Sequence, residues 1–364
     1  MLFSGLIAFI VIFSVLVLVH EWGHFTMARR AGIRVEEFGL GLPPRAKKLY
    51  KDKKGTIYSL NWIPFGGYVR LFGEDAHDPK VLDHKESFAS KSKWQRTKVV
   101  VGGVAMNFIL AWVIITIGFS IGMKPFLLPA ELEQKIVEGV LTPVFEVKAI
   151  EPESPLSKSE IQIGDQITKI NGERVSAEMD VASVVAKQTP TELEYLSQGQ
   201  EMLTQIQADS SGRLGMEMTL GLVIPDVKYP FYQAPFEAAK EVARLSWETL
   251  RMMGTVVHDL ITKFSVPDGV AGPVGIFKIT QAYTAEGLMA LMQLTALLSI
   301  SLGVINIMPF PALDGGRLLF IVIETIFRKR VKAQWEAITH MVGFALLMAL
   351  ILGITWNDIA KLLA

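Results

Sequence analysis

Two histidines and a glutamate close an otherwise oily stretch, LVLVHEWGHF, in which they are His20, Glu21 and His24. On a helix, residues four apart lie on one face a turn apart, so both imidazoles can grip a single metal ion. Glu21 then stands where a general base is needed. It would take a proton from a water whose pKa a bound zinc lowers to about 7. The alternative is a chance H-E-x-x-H. Against chance stands the setting. Leu2 to Val19 carries no charge at all, and three ionisable groups at the end of such a run are costly to insert unless they serve a function.

A catalytic zinc site wants a third protein ligand and an open fourth position. The chain has no cysteine, which removes thiolate ligands and disulfides. His77, His84, His258 and His340 lack metal-like spacing and read as ordinary surface or core histidines. Asp314, in NIMPFPALDGGRLLF, is the better candidate, because no other acid occurs in its apolar run before Glu324. A lone carboxylate in such a run needs a partner, and a cation is one. Asp314 fits equally well as a helix cap after a proline break, with Gly315 and Gly316 in the turn. Two histidines and a carboxylate suit zinc, although spacing alone does not separate zinc from other divalent ions.

The elements that must bring these residues together are membrane spans. Half the residues are hydrophobic, and 36 basic residues balance 36 acidic ones. That balance argues against a nucleic-acid partner. The apolar residues fall in long runs, which indicates a membrane protein. Four spans are expected, at residues 1–28, 98–123, 291–327 and 335–356. The third is too long for one crossing and contains Pro309 and Pro311, so it reads as a broken helix. The first lacks both a basic leader and a small-residue cleavage site, and so reads as a span and not a signal peptide. Basic residues crowd the loop 29–97 (Arg29, Arg30, Lys47, Lys48, Lys53, Lys54, Lys91, Arg96 among them) and the turn at Arg328, Lys329 and Arg330. The positive-inside rule puts both in the cytoplasm. The two termini and the segment after residue 123 are then outside. His20 lies 18 residues beyond Leu2, roughly 27 Å along a helix. Asp314 lies about 20 residues into the third span, roughly 30 Å along. Both runs enter from outside, so topology brings the two half-sites to a similar depth toward the cytoplasmic side.

HEWGH on the first span with NIMPFPALDGG on a late one resembles the site-2 protease family of intramembrane zinc metalloproteases, peptidase family M50. The bacterial regulator-of-sigma-E protease branch is the nearest, and the resemblance covers nearly the whole chain. It implies that His20, His24 and Asp314 bind Zn2+ and that Glu21 is the catalytic base. Asn306, Pro309 and Pro311 match the stretch before L-D-G, with Asn306 implied in holding the substrate backbone. EFGLGLPP, with Gly39 and Gly41, resembles the G-x-G element after the first span. NWIPFGGYVRLFGE resembles a membrane-associated β-hairpin. An edge there, at Gly66, Gly67, Tyr68 and Val69, would bind an unwound substrate as an added strand. GGVAMN matches the family's G-P-x-x-N only in part: Val104 replaces the commoner proline, and Asn107 is retained.

Residues 140–225 resemble one PDZ domain, on the run IEPESPLSKSEIQIGDQITKINGERV. Asn171-Gly172 between β-rich runs is a strong hairpin signal. The domain would either bind peptides or act as a steric gate. Residues 230–290 read as an amphipathic membrane-proximal segment, lying on the outer membrane surface or packed on the PDZ domain. The fold class expected is thus a polytopic α-helical membrane protein with four transmembrane helices, an inserted extracytoplasmic α+β PDZ domain and a membrane-associated β-hairpin. The activity implied is zinc-dependent endoproteolysis within the lipid bilayer of the bacterial inner membrane. Its substrates would be single-span proteins, either anti-sigma factors already trimmed by a site-1 protease or remnant signal peptides. The rival is a non-catalytic PDZ-containing receptor with a degenerate metal site. A structural zinc would want four closed ligands, and only three candidates are found.

Overall fold

The computed structural model describes residues 2–74, 81, 83–127, 141–176, 179–187, 190–197, 200–209, 212–263, 270–329, 331 and 333–363. His77 lies outside them. The chain divides into two compact units, Met1–Ile121 with Lys228–Ala364, and Gly122–Val227.

Among the described residues, four helices are long and apolar enough to cross a membrane: Phe3–Arg30, Lys93–Ile121, Leu288–Ile307 and Gln334–Lys361. They lie in α1 (Leu2–Arg30), α2 (Lys93–Ile121), α6 (Leu288–Ile307) and α8 (Ala333–Leu363), all in the first unit. The third span stops at Ile307, short of the Phe327 expected. Residues 308–313 break the helix, and α7 (Asp314–Phe327) follows as a separate element. Gly315 shows why the break can be so tight. Its Cα packs on the last carbonyls of α6, and a Cβ there would collide with Ile307 and Met308. At its other end α7 is pinned to α2, where Arg96 pairs with Glu324 at 2.5 Å and Lys93 Nζ donates to the Glu324 carbonyl at 3.0 Å.

Helix α1 crosses α2 at Gly23, Gly102 and Gly103, none of which leaves room for a side chain. The amphipathic segment forms two helices, α4 (Ala234–Thr262) and α5 (Pro273–Glu286). Helix α4 packs on α2 and α6, with Ala238 and Leu245 buried and Trp112 Nε1 donating to the Pro235 carbonyl at 2.8 Å. Its opposite face leaves Phe236, Trp247 and Leu250 exposed. The sequence alone offered only a membrane surface or the neighbouring domain as its support.

The segment between α1 and α2 is more than a simple hairpin. Strands β1 (Val35–Lys51) and β2 (Ile57–Leu71) both bend, and each supplies two arms. Residues 35–40 pair with 67–71 on one side and with 57–60 on the other, while 45–51 pair with 57–61. Residues 67–71 therefore form an outer edge of this sheet. Glu37 is buried at its centre, 2 % exposed. Arg45 donates to it through Nε at 2.8 Å and Nη2 at 2.5 Å, and Ser59 Oγ donates at 2.7 Å. Burial works to raise the Glu37 pKa, but the hydrogen bonds from Arg45, Ser59 and Tyr68 outweigh it and hold the carboxyl at about 2. Because the folded value lies below the ordinary 4.5, this contribution is complete above that value and is lost as pH falls toward 2. Amide protection factors of residues 35–71, corrected for the intrinsic exchange rate, are expected to fall across that window, and Glu37→Gln is expected to flatten the change.

The second unit holds a six-stranded sheet, with β3 (Thr142–Ile150), β4 (Gln166–Ile170), β6 (Thr191–Ser197), β7 (Gln200–Ile206) and β8 (Met216–Val223) in the order β7-β6-β4-β3-β8. The short β5 (Glu173–Arg174) joins β4 through a turn in which Asn171 and Gly172 both have positive φ, 52° and 77°. With the helix α3 (Val181–Lys187), the sheet encloses a core of Leu156, Ile167, Ile170, Leu193 and Tyr195.

Candidate metal centre

His20 and His24 end up buried, 7 % and 9 % exposed, on the face of α1 that meets α2. Asp314, the first residue of α7, reaches them across the break after α6. The Nε2 atoms of the two histidines lie 3.1 Å apart, and Asp314 Oδ2 lies 3.1 Å from one and 3.2 Å from the other. Four-coordinate zinc with ligands at about 2.0–2.1 Å sets neighbouring ligand atoms roughly 3.3 Å apart. The triangle has the size of one face of such a tetrahedron. Among the described residues this is the one group of three or more such side chains able to hold an ion.

Hydrogen bonding supports the fit. His24 Nδ1 lies 2.9 Å from the Val99 carbonyl, which can only accept, so the proton sits on Nδ1 and Nε2 keeps its lone pair. His20 Nδ1 lies 3.2 Å from the side-chain amide of Asn107, whose Oδ1 is otherwise buried without a hydrogen bond. A half-turn of that amide lets Oδ1 accept from Nδ1 and leaves the second Nε2 free as well. Asp314 Oδ2 is buried with no hydrogen-bond donor. Three lone pairs then face one point with no proton between them, an arrangement that calls for a cation. Asn107 is held in turn, its backbone carbonyl accepting from Ser299 Oγ of α6 at 2.8 Å.

Glu21 faces the same space. Its Oε2 accepts from the Val69 amide at 3.0 Å, so the carboxylate is oriented by the outer edge of the sheet. A cavity of about 480 Å³ opens here, lined by Glu21, both histidines, Tyr68, Val69, Asn306 and Asp314. That is the size of a pocket for a small ligand or a few residues of extended peptide. Of the other sequence-derived candidates, Gly66 and Gly67 lie against Val17 and Leu18 of α1 and seat the edge strand, while Pro309 and Pro311 lie in the break before Asp314. Two residues, one lining the pocket and one behind its Ala312, were not foreseen. Arg317, one turn past Asp314, pairs with Glu74 just beyond β2, tying α7 to the sheet. His340, set aside from the sequence as ordinary, accepts a hydrogen bond from the Ala312 amide at 2.9 Å. Its sequence signal is nil, since nothing near it in the chain has metal-like or catalytic spacing.

Similarity to known proteins extends over nearly the whole chain. The model of peptidase family M50 matches residues 8–350. The chain is 30 % identical to the zinc metalloprotease RasP of Oceanobacillus iheyensis, over 99 % of both chains. It is 31 % identical to the zinc metalloprotease RasP of Bacillus licheniformis, again over 99 % of both. To the regulator of sigma-W protease RasP of Bacillus subtilis it is 28 % identical over the full length of each.

Proposed function

The chain belongs to peptidase family M50, and we propose that it is a zinc endopeptidase that cuts single-span membrane proteins inside the bilayer. Four apolar helices among the described residues make it a multi-pass membrane protein, and relatives that it matches over 99 % of their length are named zinc metalloproteases. The observation that carries the reading is the convergence of His20, His24 and Asp314 beside Glu21, between helices apolar enough to span a membrane.

His20 Nε2, His24 Nε2 and Asp314 Oδ2 would hold the zinc. When bound, zinc supplies a Lewis acid that acidifies water and polarises the carbonyl to be attacked. Glu21 takes the proton of the attacking water and passes it to the leaving amine. The Val69 amide holds the Glu21 carboxylate, and so ties the base to the strand edge. A transmembrane helix conceals its peptide bonds in its own hydrogen bonds and must unwind before it is cut. The edge at residues 67–71 offers an unwound segment a strand to pair with, directly beside the base. Asn306 lies across the cavity, where it can hold the segment's backbone.

The basic residues of 29–97 and Arg328–Arg330 favour a cytoplasmic location in a bacterial inner membrane, with the second unit outside and the active site toward the cytoplasm. The strand order and Asn-Gly turn of that unit favour a PDZ domain that screens substrates by peptide binding or by size. Anti-sigma factors pre-trimmed by a site-1 protease are the first candidate substrates, since one relative is named a regulator of sigma-W protease. Remnant signal peptides fit the same site.

The test is a detergent cleavage assay with single-span model substrates whose outside domains are shortened. The purified protein is expected to cut them, to stop when a zinc chelator is added, and to resume when zinc is returned. Cleavage that persists in a protein shown to be metal-free would overturn the reading.

A further inference from the structure

Asp314 must be aimed to within a few tenths of an ångström, yet it follows a break in the chain. The residue two before it, Ala312, has φ 77°. That left-handed conformation is unfavourable for a residue with a Cβ and persists only when its surroundings hold it. The restraint comes from α8. The Ala312 amide donates to His340 Nδ1 at 2.9 Å. A backbone amide can only donate, so this His340 nitrogen carries a lone pair. One turn further along α8, Gly343 packs directly on Pro311, where a Cβ would approach the Pro311 carbonyl oxygen to 2.7 Å. The His340 ring also lies against Phe320 of α7, with centroids 5.7 Å apart. One histidine thus touches both the loop before Asp314 and the helix that Asp314 begins.

We propose that His340 is a positioning residue for the metal centre: its bond to the Ala312 amide holds the left-handed turn that directs Asp314 at His20 and His24. This rests on the reading of Asp314 as a zinc ligand. His340 touches neither the ligand atoms nor the reacting ones, so its effect is on metal affinity and acts through the loop.

Zinc affinity of the purified full chain, measured by chelator competition beside thermal melting, tests this. His340→Leu is expected to weaken zinc binding about 10–100-fold, the usual cost of losing an outer partner of a ligand. His340→Asn offers an oxygen where Nδ1 sits and is expected to stay within about threefold of wild type. Ala312→Gly placed in the His340→Leu background is expected to restore much of the lost affinity, because glycine adopts positive φ without help. A histidine that merely fills space would not be rescued in this way. Wild-type affinity in His340→Leu, or a loss that Ala312→Gly leaves unchanged, would overturn the proposal. If His340→Leu does not fold, Gly343→Ala displaces the same loop through Pro311, and undiminished zinc affinity in that folded variant overturns it equally. Asp314→Asn is the control. If it keeps full zinc affinity, the metal assignment itself fails. If it loses zinc while His340→Leu does not, only the role of His340 falls.

Discussion

Glu21→Gln is expected to lower kcat by about 10²–10⁴-fold or more, the range typical of a positioned acid–base group, while zinc remains bound. The geometry separates the two properties. Glu21 lines the cavity but is not among the three converging ligand atoms. Its Oε2 is held by the Val69 amide, a donor that also satisfies a glutamine oxygen. The substitution therefore keeps shape and loses the ability to take a proton. KM should move little, because the strand edge and Asn306 are untouched; a fall in kcat at constant KM marks an interaction made only in the transition state. Zinc content by metal analysis and cleavage by gel or mass spectrometry give the two readouts. A zinc-loaded Glu21→Gln protein with wild-type turnover would remove Glu21 from the mechanism.

The parts of this site that were legible in the sequence are those set by local periodicity. HEWGH declares itself because a helix of known pitch puts His20 and His24 on one face. Asp314 could be paired with them because spans enter from fixed sides and rise by a fixed amount per residue. What stayed hidden depends on contacts between segments far apart in sequence. Nothing near His24 says that the Val99 carbonyl will orient its ring. Nothing near His340 says that it will hold the amide of Ala312. The run NWIPFGGYVRLFGE reads as a hairpin only by resemblance; that its two ends belong to one bent strand and pair with separate stretches of residues 35–51 is a matter of register, which turn residues alone do not specify. Helix α4 shows the same limit. Its amphipathic pattern announces an apolar face but not that α2 and α6 cover it.

Gly103→Ala is expected to destroy the metal centre although Gly103 ligates nothing. The residue lies on α2 directly over the two imidazoles. A Cβ there would collide with His24 Nε2, and would fall 2.7 Å from His24 Cε1 and 2.9 Å from His20 Cε1. Neither ring can retreat easily, since the Val99 carbonyl fixes one and Asn107 the other, and all three of these α2 residues move together. Overpacking a close-packed site costs about 1–3 kcal/mol. Here that strain falls on the ligand atoms themselves, so zinc affinity should drop by more than the roughly 10–100-fold seen when only an outer partner is lost. Cleavage should vanish with it. Val104→Ala supplies the contrast: it removes buried methyls from the next residue, 3 % exposed, and is expected to lower stability by about 1–3 kcal/mol while zinc stays bound. Chelator competition and thermal melting on both variants separate the outcomes. If Gly103→Ala binds zinc as tightly as wild type, the helices must part at the Gly23–Gly102 crossing more readily than their packing indicates, and the close approach of α1 to α2 is not what holds the histidines in place.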